Sequence, residues 1–487
     1  MSPSLILSCV IAYSALLFFV VWRTSRNADN DTFFIGNKSS KWYLVAYGMI
    51  GASLSGVTFM SVPGIVGATN FSYLILVFGY FFGYAAISLI LLPIYYKMNL
   101  TSIYSYLESR LGFWSYKTGA FYFILSRTIG AAFRLYIVVN VLQLFIFDAW
   151  GVPFWITVAS FIILILLYTY KGGVKTIVWT DTLQTTFMLL AVVISVISIS
   201  SSLHMGISDL FSAIHRKGYD TMINSDWRSK TFFLKQFFGG MFISIAMTGL
   251  DQEMMQKNIS VKTLANSQKN MFTFSVVLVF INFLFLCLGA LLYIYSSANG
   301  ITLPAKSDDL FPIIAINHIG GFVAIVFIIG LISAAYPSAD GALTALTSSF
   351  CIDFLNFNKS TMPEKQKTRR RYLVHISFAI ILLMVILIFK VINDDAVISK
   401  LFTVAGYTYG PLLGLFTFGI FSKKSPIDKF VPIVCLASPL ICYIINEHST
   451  TWFNNYKFGF ELLILNGLIT FIGLHFISTK KESIPQK

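Results

Sequence analysis

Thirteen apolar windows, each long enough to cross a lipid bilayer, leave this chain few folds to choose from. They fall at about 3–22, 42–68, 71–96, 118–147, 153–170, 180–203, 234–254, 270–298, 317–350, 372–391, 396–421, 428–447 and 456–478. In hydrocarbon every backbone polar group must be satisfied within the protein, so windows of this length predict helices rather than open sheets. The expected fold is an all-α polytopic membrane protein with about 13 transmembrane helices in one bundle. The first window lacks a basic leader and a small-residue cleavage site, so it reads as a helix rather than a signal peptide.

Several function classes drop out at this level. The five cysteines, Cys9, Cys287, Cys351, Cys435 and Cys442, are scattered and suit small core hydrophobes better than a disulfide framework. The six histidines lack ligand spacing, and no nucleophile–base pair is evident, so neither a metal centre nor an enzyme is expected. The formal charge of +14 invites a nucleic-acid partner, but its placement argues otherwise. Alternate loops from 23–41 onward hold 24 Lys and Arg, and the opposite set holds 9. That bias predicts an N-terminus outside, a cytoplasmic C-terminus and KQKTRRR (Lys365–Arg371) in the cytoplasm of a cell (inner or plasma) membrane.

Some windows are unsuited to passive anchoring. GASLSGVTFMSVPGIVG (Gly51–Gly67) crowds hydroxyls around Gly56 and carries Pro63-Gly64, where a break is expected. Its freed carbonyls suit a small hard cation; otherwise it is a kinked packing helix. In the ninth window Pro337 frees the Ser333 carbonyl, and Asp340, Thr344 and Thr347 share one face, for an ion or for interhelical hydrogen bonds. Arg127 and Arg134 share a face of the fourth window. Either is a structural counter-charge, or Arg134 holds an anionic group of a solute. Ser244 and Thr248 precede Asp251 and Gln252, which are expected at a solvated helix end near Lys257. Asp181, inside an apolar run, demands a cationic partner.

Four stretches then fall in family order. LPIYYKMNLTSIYSYLESRLG (Leu92–Gly112), GGVKTIVWTDTLQ (Gly172–Gln184), DQEMMQKNISVK (Asp251–Lys262) and GYTYGPLLGLF (Gly406–Phe416) resemble motifs of the sodium:solute symporter family. The resemblance implies a five-plus-five inverted-repeat (LeuT-type) core. Its halves would be 42–203 and 234–421, with an extra helix and loop at 1–41 and two helices and a short tail at 428–487. It places the solute beside the broken first and sixth core helices, near Thr58, Met60, Pro63, Phe78, Phe82, Arg134, Ser244 and Thr248. It implies a sodium site from the carbonyls of Gly56, Phe59 and Ala334 and the hydroxyl of Ser338, with Pro337 standing where a second hydroxyl is usual. A second site would join Asp181 to Asp340, with Gly341 at the other hydroxyl position. Two carboxylates so close call for sodium between them, or a shared proton; the alternative is that Arg127 or another basic residue neutralises Asp181.

The expected function is a sodium-coupled symporter importing a small polar solute by alternating access, with sodium as co-substrate and no cofactor. LILVFGYFFGYAAIS carries no Glu or Gln for sugar hydroxyls, which argues against a neutral hexose, while Arg134 favours an organic anion or sugar acid. The expected partners are sodium, that solute and the bilayer. Rival readings are proton coupling on the same fold, a channel, or a membrane sensor; only about eight residues follow the last window.

Overall fold

The computed structural model describes residues 3–24, 33, 40–392 and 397–479, without the side chains of 3, 170–173, 175 and 392. The basic residues Arg26, Lys38, Lys480, Lys481 and Lys487 of the orientation argument lie outside the described residues. The principal helices are α1 (Pro3–Thr24), α2 (Trp42–Ser53), α3 (Gly56–Thr69), α4 (Tyr73–Ala86), α5 (Phe113–Leu142), α6 (Phe154–Ser202), α7 (Phe233–Ser244) and α8 (Gln252–Ile259). They continue with α9 (Leu264–Ala298), α10 (Gly321–Ser349), α11 (Glu364–Ile392), α12 (Val397–Thr408), α13 (Gly410–Phe421), α14 (Val431–Glu447) and α15 (Leu462–Phe476). Each expected window falls largely on helical backbone, although 456–461 and 318–320 are not helical and 396 lies outside the described residues. Among the described residues 8 helical stretches are long and apolar enough to cross a membrane, and up to 10 if two bent pairs are counted; two shorter apolar helices accompany them.

Helical backbone runs through all 49 residues of α6, where two windows were expected. At 1.5 Å per residue a straight rod would be about 74 Å long, more than twice the hydrocarbon core. The aromatic contacts show that it is not straight. Phe161 lies 6.4 Å from the Tyr336 ring, Tyr336 stacks on Tyr13 at 6.3 Å, and Phe187 meets Tyr13 edge-on at 5.7 Å. Straight helix would hold Phe161 and Phe187 about 39 Å apart. The run therefore folds back on itself, and its two arms flank α10.

Three helices break inside the bundle. The first break lies at Leu54 (φ −86°, ψ 78°) and Ser55 (φ −78°, ψ 179°), between α2 and α3. The expected break at Pro63-Gly64 is not there, and Pro63 sits inside α3. Proline removes one donor, which a well-packed helix tolerates; the Ser-Leu-Ser-Gly run upstream competes harder with helical backbone. The second break separates α7 from α8, which meet at 66°, and the third separates α12 from α13 at 46°.

Close helix crossings use small residues, as membrane bundles do. A Cβ on Gly240 of α7 would sit 2.9 Å from the Leu76 carbonyl carbon and 3.1 Å from its Cα on α4. Gly240→Val should force α4 and α7 apart and destabilise the protein by about 1–3 kcal/mol, read as a lower unfolding temperature in detergent.

Candidate functional site

The breaks frame a buried ion lattice. At the α7–α8 break, Tyr95 donates to the Gly249 carbonyl and Tyr104 to the Leu250 carbonyl, both at 2.9 Å. Asp251 caps α8, accepting from the amides of Glu253 at 2.9 Å and Met254 at 3.3 Å, and its other oxygen accepts from Tyr409 at 2.8 Å. Gln252 spans to Ile103 N and Thr101 O. The irregular backbone is thus satisfied by side chains, which is what allows it at membrane depth. Asp251 and Gln252 are fully buried, so the solvated helix end expected there is corrected.

Lys257 is buried as well, although its position suggested a cytoplasmic loop. It answers Asp181. Its ammonium donates to Asp181 Oδ2 at 2.8 Å and to Glu253 Oε1 at 3.3 Å. Arg127 pairs with the other oxygen of Glu253 and stands 4.0 Å from Asp251. Arg127 is therefore a structural counter-charge, but Lys257 is the residue that meets Asp181. The lattice runs Arg127, Glu253, Lys257, Asp181 where α2, α6, α8 and α10 meet.

Asp340 adjoins this lattice, because Glu253 packs directly over Gly341. Tyr168 donates to Asp340 Oδ2 at 2.8 Å, and the Gly341 amide donates to Oδ1. No Lys or Arg pairs with Asp340 among the described residues. Asp181 Oδ1 and the Thr344 hydroxyl are buried without a hydrogen-bond partner. Four buried carboxylates, Asp181, Asp251, Glu253 and Asp340, thus face two lattice cations, Arg127 and Lys257. Thr347 does not join them: it is engaged by His375 at 2.9 Å.

The carbonyl-rich site is composed differently. Pro63 leaves the Phe59 carbonyl, four residues earlier, without its helical donor. α3 packs on α10, where the Ser338 hydroxyl is buried and unpartnered. Pro337 lies within α10 and frees the Ser333 carbonyl in the same way. Ala334 is fully buried one turn before Ser338, while Gly56 packs against Arg134 O and Val138 of α5. These oxygens suit sodium in chemistry and charge.

Beside the α2–α3 break lies a cavity of about 70 Å³, walled by Thr58, Arg134, Ser244 and Thr248 among the expected residues. Arg134 is only 9% exposed, its Nε has no partner, and its guanidinium pairs with no carboxylate among the described residues. Other expected residues fall elsewhere. Met60 is buried away from the cavity and Pro63 faces Gly289 of α9. Phe78 and Phe82 are 40% and 52% exposed on the outer side of α4. The wall is formed instead by Tyr73, Tyr80 and Tyr84, with Asn282 opposite. Their spacing of i, i+7 and i+11 places these tyrosines on one helix face, a signal the sequence carried; Phe78 and Phe82 lie on the reverse.

Comparison with known proteins gives this arrangement its family. The model of the sodium:solute symporter family matches residues 33–426. The chain belongs to that family. The sodium/sialic acid symporter of Proteus mirabilis is 25% identical over 422 residues, covering 85% of this chain and 83% of that protein. The sodium/sialic acid symporter of Aliivibrio fischeri is 22% identical over 456 residues, covering 92% and 88%. A solved structure described as the substrate-bound outward-open state of a Na+-coupled sialic acid symporter superposes with a TM-score of 0.83 at 21% identity, over 98% of this chain and 99% of that one. The fold is thus that of the LeuT-type transporters, and the family's members are multi-pass membrane transporters rather than enzymes.

Proposed function

We propose that this chain is a sodium-coupled symporter that imports an organic anion, a sugar acid of the sialic type, by alternating access. The observation that carries this reading is Arg134: a guanidinium at a buried cavity, paired with no carboxylate among the described residues. Leaving it so is costly unless an anionic group answers it during the cycle. The sialic acid substrates of the two relatives are of the same chemical class.

Sodium would bind at the carbonyls of Gly56, Phe59 and Ala334 with the Ser338 hydroxyl, steadying α3 against α10. That favours the state that accepts solute, so coupling is a difference in affinity between two conformations. Thr58, Ser244 and Thr248 would orient the solute around Arg134. A cavity of about 70 Å³ is below the size of a sugar-acid site, so binding would require the wall to move. The α12 segment, which contributes Ile398, Leu401 and Phe402 and ends at a 46° bend, is suited to that movement. The halves 42–203 and 234–421 each open with a broken helix, in keeping with an inverted repeat. In the bilayer the N-terminus would lie outside and the C-terminus in the cytoplasm.

Lys257 occupies one oxygen of Asp181 and leaves Oδ1 unpartnered, and no Lys or Arg pairs with Asp340 among the described residues. A second coupling cation would bind there, sodium or a proton. Uptake into proteoliposomes across a sodium titration tests it. Asp340→Asn and Asp181→Asn should each raise the sodium concentration for half-maximal uptake several-fold; unchanged sodium dependence in both removes the second site. Uptake driven by a pH gradient without sodium would identify the proton as the ion.

A further inference from the structure

Gln184 is a buried polar side chain that none of the networks around Asp181 engages. It lies one turn after Asp181 on the arm of α6 that packs along α10, and it is wholly buried. Neither its Oε1 nor its Nε2 has a hydrogen-bond partner among the described residues. Its neighbours on that arm behave otherwise: Thr180, Thr182, Thr185 and Thr186 each give their hydroxyl to a carbonyl of their own helix. A buried amide with both ends open is unfavourable by itself, so its position calls for an occupant.

The register of the two helices says where the amide falls. A Cβ on Gly330 of α10 would overlap the Cβ of Ala191, so these residues face each other. Asp181, ten residues before Ala191, is held by Lys257, which also holds Glu253, and Glu253 packs over Gly341. The helices therefore run antiparallel, side by side. One heptad from the Gly330–Ala191 crossing, about two turns along each helix, Pro337 stands opposite Gln184. Pro337 fills the place of a hydroxyl in the carbonyl-rich site, and Ser338 beside it has an unpartnered hydroxyl.

We propose that Gln184 is a further sodium ligand, its amide oxygen standing in for the hydroxyl that Pro337 lacks. The inference rests on the proposed sodium site at the carbonyls of Gly56, Phe59 and Ala334 and the Ser338 hydroxyl.

The chemistry of the donors favours it. A side-chain amide carbonyl is a neutral hard oxygen, the same kind of donor as the backbone carbonyls of α3 and α10. Its two methylenes give it a reach that a serine or threonine of α6 would lack. The Nε2 end remains available to the Ser333 carbonyl, which Pro337 frees one turn earlier on α10. The Asp181 carboxylate one turn away adds negative charge to the neighbourhood of the ion without filling the site. A ligand on α6 also changes what the ion connects. Sodium would tie α6, as well as α10, to α3, so the helix that carries Asp181 would respond to occupancy at Ser338.

Unfolding temperature in detergent, measured across a sodium titration with choline holding ionic strength constant, reads cation binding apart from transport. Gln184→Leu should raise the sodium concentration for half-maximal stabilisation about 10-fold or more, the loss expected when one donor to a charged group goes. Gln184→Asn, which keeps the amide but withdraws it by one methylene, should weaken binding in the same direction and serves if the Leu variant does not fold. Pro337→Ser should restore most of the affinity in either background, because it returns a hydroxyl to the site; a side chain that merely packs would not be rescued. Sodium-driven uptake should follow the same order, with KM for the solute at saturating sodium within about 2-fold of the wild type. If the Gln184 variants keep the wild-type sodium dependence, or Pro337→Ser fails to rescue them, Gln184 is not a ligand. Ser338→Ala separates that failure from failure of the site. A Ser338→Ala protein with unchanged sodium dependence removes the sodium site and this inference with it. A weakened Ser338→Ala protein beside unaffected Gln184 variants overturns the inference alone.

Discussion

Arg134→Gln is expected to abolish concentrative uptake of the acid while leaving the protein as stable as the wild type. Truncating one partner of a buried charge pair typically costs 2–5 kcal/mol, so uptake efficiency should fall by about 30-fold or more. Stability should not fall, because among the described residues no carboxylate pairs with the guanidinium and its Nε has no hydrogen-bond partner. Arg127→Gln, one heptad earlier on the same face of α5, should behave in the opposite way. It leaves Glu253 to Lys257 alone and removes the guanidinium beside Asp251, and should cost about 3–5 kcal/mol of stability. Thermal unfolding in detergent and sodium-driven uptake, measured on both variants, give the comparison. An Arg134→Gln protein that transports normally would remove the central argument for an anionic solute.

The second large effect is expected at Lys257. Lys257→Met leaves Asp181 and Glu253 without their shared ammonium and should destabilise the protein by about 3–5 kcal/mol. Asp181→Asn added to that variant should recover part of the loss, since a neutral amide tolerates the site better than an unpaired carboxylate. Unfolding temperatures of the two single variants and the double variant form the cycle that isolates the pair. A double variant whose losses simply add would mean that the contact carries no coupling energy. Arg127, Lys257 and the carboxylates between them join α5, α6 and α8.

How far the site could be read in advance depended on the kind of residue. Of the solute set implied by the family resemblance, Thr58, Arg134, Ser244 and Thr248 line the cavity, and each is a polar group inside an apolar window, which is rare and has few uses. Phe78 and Phe82, named by the same resemblance, lie on the outer side of α4, whereas the tyrosine hydroxyls at i, i+7 and i+11 mark the face that lines the cavity. The break at Leu54–Ser55 was displaced to Pro63 because proline is the more visible signal, although the serine-rich turn is the weaker helix. Lys257 was assigned to solvent because basic residues near window ends normally are. Its burial follows from α8 turning 66° back into the bundle, and no local pattern encodes that angle.

The sequence by itself determined that this is a helical membrane protein, which windows would be helices, and which few charges would have to be answered inside. These properties follow from hydrocarbon as a solvent, where each backbone group and each charge has a local energetic requirement that composition and spacing express. Only the tertiary structure decided which cation answers which carboxylate, where the first core helix breaks, and that Lys257 turns back into the bundle. Those outcomes depend on residues far apart in the chain, brought together by packing angles that no single segment specifies.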